Sequence, residues 1–187
     1  MFLIILIEVI IIKRPIILLL IVFVFLVGCQ NKIDFLSYQD EPCNATLLVN
    51  NKFELFLSKN DSHILLTINK PSYLSGVQFK ISENSTLVIY DNTEIPVNKD
   101  DLKGILAIAS SFSLEENMQI SVSDEGKECT VGFENDYGTY YVTYNKRLLP
   151  QKIQILSPQY EYDIEILDMK LASQKWHKAF YYTFFAK

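Results

Sequence analysis

Glycine is scarce in this 187-residue chain, with six residues, and there are only two histidines, one tryptophan and three cysteines. Six glycines leave little room for a phosphate-cradling loop, and neither a Gly-x-Ser-x-Gly elbow nor a His-x-x-x-His pair occurs. No Cys-x-x-Cys is present, which removes both a zinc knuckle and a dithiol redox motif. Basic residues are too few for a nucleic-acid backbone: 17 Lys+Arg face 22 Asp+Glu, and beyond residue 28 the balance is 15 (17 − 2) to 21 (22 − 1), a net charge of −6. His63 opens a strand-like run and His177 lies among aromatics near the end, so neither stands in a catalytic or metal-binding set. The expectation is a non-enzymatic protein with no cofactor, no metal and no nucleic-acid partner. An aromatic content of 13% is too high for a disordered chain.

Charge is nearly absent from residues 1–28, where only Glu8, Lys13 and Arg14 carry it. After Lys13-Arg14 come thirteen uncharged residues, Pro15 to Val27. A short basic region before an apolar run of about 7–15 residues is the layout of a secretory signal. An uncleaved span would have to begin after Arg14, because a basic pair inside the bilayer is costly, and it would then be short. The run ends in Leu26-Val27-Gly28-Cys29, which resembles the lipobox of bacterial lipoproteins. That resemblance implies a diacylglycerol on the Cys29 thiol, a signal peptide over 1–28, a lipidated tether over 29–34, and a place on the extracytoplasmic face of the cell membrane. Cys43 and Cys129 then remain, an even number in an oxidising compartment. A disulfide between them and two buried thiols are both open readings. The sequons at Asn44, Asn60 and Asn84 read as polar strand ends, since a lipobox points to a bacterium.

From Cys43 onward the dominant period is two. Phe53, Leu55 and Leu57 alternate with Glu54, Phe56 and Ser58, and Val77, Phe79 and Ile81 with Gln78, Lys80 and Ser82. Met118, Ile120 and Val122 repeat the pattern, as do Tyr160, Tyr162, Ile164 and Ile166. Alternation of this kind marks half-buried antiparallel strands with one apolar face. Turn residues separate the runs at Asn50-Asn51, Asn60-Asp61, Glu83-Asn84, Asp91-Asn92, Glu125-Gly126 and Asp136-Tyr137-Gly138. About ten strands follow, near 43–50, 52–59, 63–69, 76–82, 86–91, 94–97, 117–123, 128–134, 139–145 and 152–168, the last broken at Pro158. Short turns join only antiparallel neighbours, so the order is a meander. Three carboxylates on one strand face, Glu161, Asp163 and Glu165, read as a solvated face rather than a calcium site.

One segment departs from the period. Residues 99–112 place Leu102, Ile105, Leu106, Ala109 and Phe112 at helical spacing, with Asn98 as N-cap and Asp100 and Asp101 in the first turn. A second short helix is expected near 34–39. After Met169 the chain packs six aromatics into its last twelve residues, and Trp176, Phe180 and Phe184 share a stripe if helical. This tail, 169–187, reads as an element packed on the sheet, as an interfacial membrane contact, or as an extension peculiar to this chain with no defined role.

This order of features resembles the LolA/LolB superfamily of lipoprotein carriers and, within it, LolA-like lipoproteins of Firmicutes. The segments that carry the resemblance are Ser37-Tyr38-Gln39 with Pro42, Lys70-Pro71-Ser72-Tyr73-Leu74-Ser75-Gly76-Val77-Gln78-Phe79, the helix 99–112, and the Leu149-Pro150 turn. It covers roughly residues 35–168. The resemblance implies a mainly β, α+β domain: a single curved antiparallel sheet forming an incomplete β-barrel, with an amphipathic helix as lid or plug.

About ten strands with one apolar face each must curl to bury that surface, and a barrel of that size has an interior wider than side chains alone fill well. An apolar groove between helix and concave face is therefore expected, lined by Leu55, Leu66, Phe79, Leu102, Ile105, Leu106, Ala109, Phe112, Ile120 and Val142. With no convergent polar set to mark a polar substrate, the fitting ligand is a lipid or acyl chain. The alternative is a protein-interaction module, a sensor or inhibitor of the cell envelope, whose core is filled by its own side chains.

Overall fold

The computed structural model describes residues 34–124 and 128–172. The expected signal peptide 1–28, the expected tether with Cys29 up to residue 33, the expected Glu125-Gly126 turn and the tail from residue 173 lie outside the described residues. Eleven strands form one antiparallel sheet: β1 (Cys43–Val49), β2 (Phe53–Lys59), β3 (His63–Lys70), β4 (Gln78–Ser82), β5 (Thr86–Tyr90), β6 (Thr93–Pro96), β7 (Gln119–Asp124), β8 (Cys129–Asn135), β9 (Gly138–Tyr144), β10 (Pro150–Leu156) and β11 (Glu161–Leu171). Their order across the sheet is β6-β5-β4-β3-β2-β1-β11-β10-β9-β8-β7. Every neighbouring pair except β1–β11 is consecutive in the chain. The sheet is thus a meander whose first and last strands meet in the middle, leaving β6 and β7 as its two edges. It does not close, and the fold is mainly β with an incomplete barrel.

Two hairpins show why the meander forms where it does. Asn50 and Asn51 both take positive φ (50° and 55°), as do Asp91 and Asn92 (49° and 61°). Two consecutive positive-φ residues make the type I′ turn, whose twist matches that of paired strands, and Asn and Asp tolerate it better than other side chains. Asn50 also ties its hairpin to β11: its Oδ1 accepts from the Asp163 backbone N–H at 2.7 Å.

Between the two edges the chain forms the helical segment, a 3₁₀ turn over Lys99–Leu102 running into α1 (Lys103–Ser110). The Asn98 side chain accepts from the Asp100 N–H at 3.1 Å, so the expected cap is in place. The earlier helix shrinks to one 3₁₀ turn, Ser37–Asp40.

Directly opposed residues of antiparallel strands share a face. One inward row therefore runs Phe53–Val49–Ile164–Ile153–Val142–Val131–Val122. A second runs Ala45–Leu57–Leu66–Phe79–Val88–Ile95. α1 packs over β4, and Leu106, Ala107, Ile108 and Ala109 are buried. The closing strands fall on either side of Pro158, as the break there suggested. However, β11 continues to Leu171, three residues past the expected domain end at 168, because it stays paired with β1 as far as Cys43.

Candidate functional site

Six of the ten expected groove residues, Leu55, Leu66, Leu106, Ala109, Phe112 and Val142, are buried, and Leu66, Phe112 and Val142 expose 0% of their surface. A side chain with no accessible surface has no water-sized void beside it. Around these residues the space under α1 is filled by the protein itself. Phe79, Leu102 and Ile105 are half-buried.

Ile120 does not line the concave face. A bulge between Gln119 and Ser121 breaks the β7–β8 register, so that Ser121 opposes Gly132 and Val122 opposes Val131. Gly132 lies between the inward Val131 and Phe133 and therefore faces out. A Cβ added to it would stand 3.1 Å from Ile120 Cγ1 and 3.4 Å from Tyr141 Cε1. Ile120 thus covers the outer side of Gly132 and is 52% exposed. The extra residue of a bulge shifts the pleat locally, which is what period-two reading cannot anticipate.

The concave face is uneven. Along the second row Ala45, Leu57 and Leu66 are buried, Phe79 and Val88 are half-buried, and Ile95 is 50% exposed. Tyr90, two residues beyond Val88 and on the same face, is 57% exposed. Phe79, Val88, Tyr90 and Ile95 thus form an apolar flank on β4–β6.

Lys59 organises another part of the fold. It follows Phe53, Leu55 and Leu57 in the inward phase of β2, where a fourth apolar residue would continue the pattern. Its ammonium donates to the Gln39 carbonyl at 2.6 Å and to the Phe112 carbonyl at 2.7 Å, joining the 3₁₀ turn before β1 to the segment that leaves α1. Burial lowers the affinity of this amine for its proton, while Cys43 and Asp40 oppose the shift. Beside it, Tyr38 accepts from Gln39 Nε2 at 2.8 Å, and its ring meets Tyr144 edge-on at 6.2 Å, with Phe35 5.5 Å from Tyr144 on another side. Burial pushes the Tyr38 hydroxyl far above its ordinary value.

Cys43 and Cys129 are buried thiols and are not bridged. Strands β11, β10 and β9 stand between β1 and β8, about 19 Å along the sheet at ~4.8 Å per strand. A disulfide tolerates a Cα separation of at most ~7 Å. Burial raises the Cys43 thiol above its ordinary value, so it is a packed side chain rather than a nucleophile.

On the outer face Glu161, Asp163 and Glu165 are exposed, and Lys152 pairs with Asp163 at 3.1 Å. A shallow polar depression of about 530 Å³ runs past Lys152, Asp163 and Glu165. Among the described residues no three His, Cys, Asp or Glu side chains gather where they could hold a metal ion, and no helix is long and apolar enough to cross a membrane.

No protein-family profile and no curated relative matches this sequence. Among solved structures, the chain is similar to an uncharacterised conserved protein of Thermus thermophilus, with 14% identity and a TM-score of 0.45 over 73% of this chain and 85% of that one. It is also similar to a LolA superfamily protein of Nitrosomonas europaea, with 10% identity and a TM-score of 0.43 over 74% of this chain and 92% of that one. Likeness at this level carries no functional argument.

Proposed function

We propose that this protein is a lipid-anchored extracytoplasmic binding protein that holds an acyl chain or similar apolar ligand along the concave flank of β4–β6. The observation that carries this reading is the gradient along the inward row, from fully covered Leu66 to half-exposed Ile95. An apolar strip on the concave side of an open sheet loses ~25 cal/mol for every Å² left in water, and an acyl chain laid on it recovers that energy. The anchor is the diacylglycerol expected on Cys29.

A second reading has its own observation. Phe112, Val142 and Leu66 have no accessible surface, so the centre of the fold is self-filled, as in a non-enzymatic interaction module of the cell envelope. Titration of the mature protein with an environment-sensitive fatty-acid probe separates the two. The wild type should bind saturably, and Val88→Glu should weaken binding at least about tenfold, the equivalent of ~1.4 kcal/mol, with unchanged circular dichroism. A folded wild type with no saturable binding leaves the interaction module as the function.

A further inference from the structure

The apolar flank on β4–β6 has an acidic rim. Glu83, Asp91, Asp100 and Asp101 are all exposed around it. Of the lysines nearby, Lys99 donates to the Glu83 carbonyl at 3.0 Å and Lys103 lies 3.6 Å from Asp100. The surface therefore asks for a partner that is apolar and aromatic in the middle and basic at its ends. The chain carries one. Residues 173–187 hold Trp176, Phe180, Tyr181, Tyr182, Phe184 and Phe185 with Lys175, Lys178 and Lys187, and no acidic residue.

Reach allows the contact. Ala172, the last described residue, is fixed beside β1 by its N–H bond to the Pro42 carbonyl at 2.8 Å. From β11 to β6 the sheet order counts six steps, about 29 Å at ~4.8 Å each. Fifteen residues span up to ~50 Å when extended. A tethered segment also acts at a local concentration of the order of millimolar, so modest contacts suffice.

We propose that the C-terminal segment 173–187 docks on the concave flank formed by Phe79, Val88, Tyr90 and Ile95, covering it in the absence of ligand. The docking itself stands on the flank and the tail alone. Its consequence, competition with an acyl ligand, rests on the reading given above. If the docked state is favoured ~10:1, removing the tail tightens ligand binding about tenfold, because only the open fraction is competent.

Trp176 is the sole tryptophan, but four residues beyond Ala172 it reaches only ~14 Å, short of Val88 and Ile95. The reporter is therefore a Trp176→Phe, Phe184→Trp chain, whose tryptophan stands twelve residues out, reaches up to ~40 Å, and reports the tail without any ligand. In the full mature chain its emission should be blue-shifted relative to the free peptide 173–187 with the same two substitutions, and either Val88→Glu or Ile95→Glu should return it to the peptide's value. Phe56→Glu, on the opposite face of β2, should leave it blue-shifted. Circular dichroism establishes that each variant is folded. Emission equal to the free peptide, emission unmoved by both flank variants, or a blue shift that appears only when anionic vesicles are added overturns the docking. The fatty-acid probe then tests competition: a chain ending at Ala172 should bind about tenfold more tightly than the full chain. Equal affinity overturns the competition. If neither chain binds the probe while the tail tryptophan still responds to Ile95→Glu, the ligand reading fails and the docking stands.

Discussion

The hydroxyl of Tyr162 on β11 occupies the place where a Cβ on Gly104 of α1 would stand, and its Cζ lies 3.2 Å from that position. Tyr162 opposes the inward Ile155 and stacks on Tyr160 at 5.3 Å between ring centroids, so its ring has little freedom to retreat. A glycine inside a helix costs ~1 kcal/mol relative to alanine, and here it admits the tyrosine.

Gly104→Ala should therefore destabilise the wild type by about 1–2 kcal/mol, overpacking outweighing helix propensity. In a Tyr162→Phe background the same substitution should be neutral or stabilising by up to ~1 kcal/mol, because the clashing oxygen is gone. Urea denaturation of the four proteins measures both differences. The same destabilisation in both backgrounds would show that Tyr162 is not what excludes the methyl.

Lys59→Met keeps the aliphatic stem and loses the bonds to Gln39 and Phe112. We expect a loss of about 1–3 kcal/mol, the usual range for charge-assisted bonds less the desolvation regained. Hydrogen exchange should accelerate together in residues 37–40 and 103–112 while β9 and β10 keep their protection. Acceleration in only one of the two segments would mean that Lys59 does not join them.

The Tyr140 hydroxyl, bonded to Ser110 Oγ at 2.6 Å, is pushed up to about 12 by burial, from an ordinary 10.0. A group that holds its proton more tightly when folded contributes stability that is complete below its unfolded value and is lost as pH rises through its folded one. Unfolding free energy should thus fall between pH 10 and about 12, and Tyr38, raised by the same cause, extends the fall. Tyr140→Phe should flatten this slope. Denaturation at successive pH values, followed with tyrosinate absorbance, reads it, and a Tyr140→Phe slope as steep as that of the wild type contradicts the assignment.

With Cys43 and Cys129 both thiols, dithiothreitol should leave the unfolding midpoint of the protein unchanged. An aromatic disulfide reagent should reach both cysteines only after denaturation. A midpoint that drops on reduction would mean that the two cysteines are bridged in solution.

Local chemistry alone determined most of the strands. Asn50-Asn51 and Asp91-Asn92 are turn formers whichever strands they join, and period two over Phe53–Leu57 or Tyr162–Ile166 assigns a face without reference to anything distant. The Asn98 cap and the Leu102–Phe112 spacing define the helix for the same reason. The pairing of β1 with β11 lies outside such signals, since it joins residues more than a hundred positions apart, and with it came the extension to Leu171. The bulge that turns Ile120 outward depends on Gly132, a partner in another strand. Lys59 breaks an apolar phase in a way that only the carbonyls of Gln39 and Phe112 explain, and both come from distant parts of the chain. Periodicity says which side of a strand is apolar, but not whether another element covers it. That coverage, complete at Leu66 and partial at Ile95, was decided by where α1 lies across the open sheet.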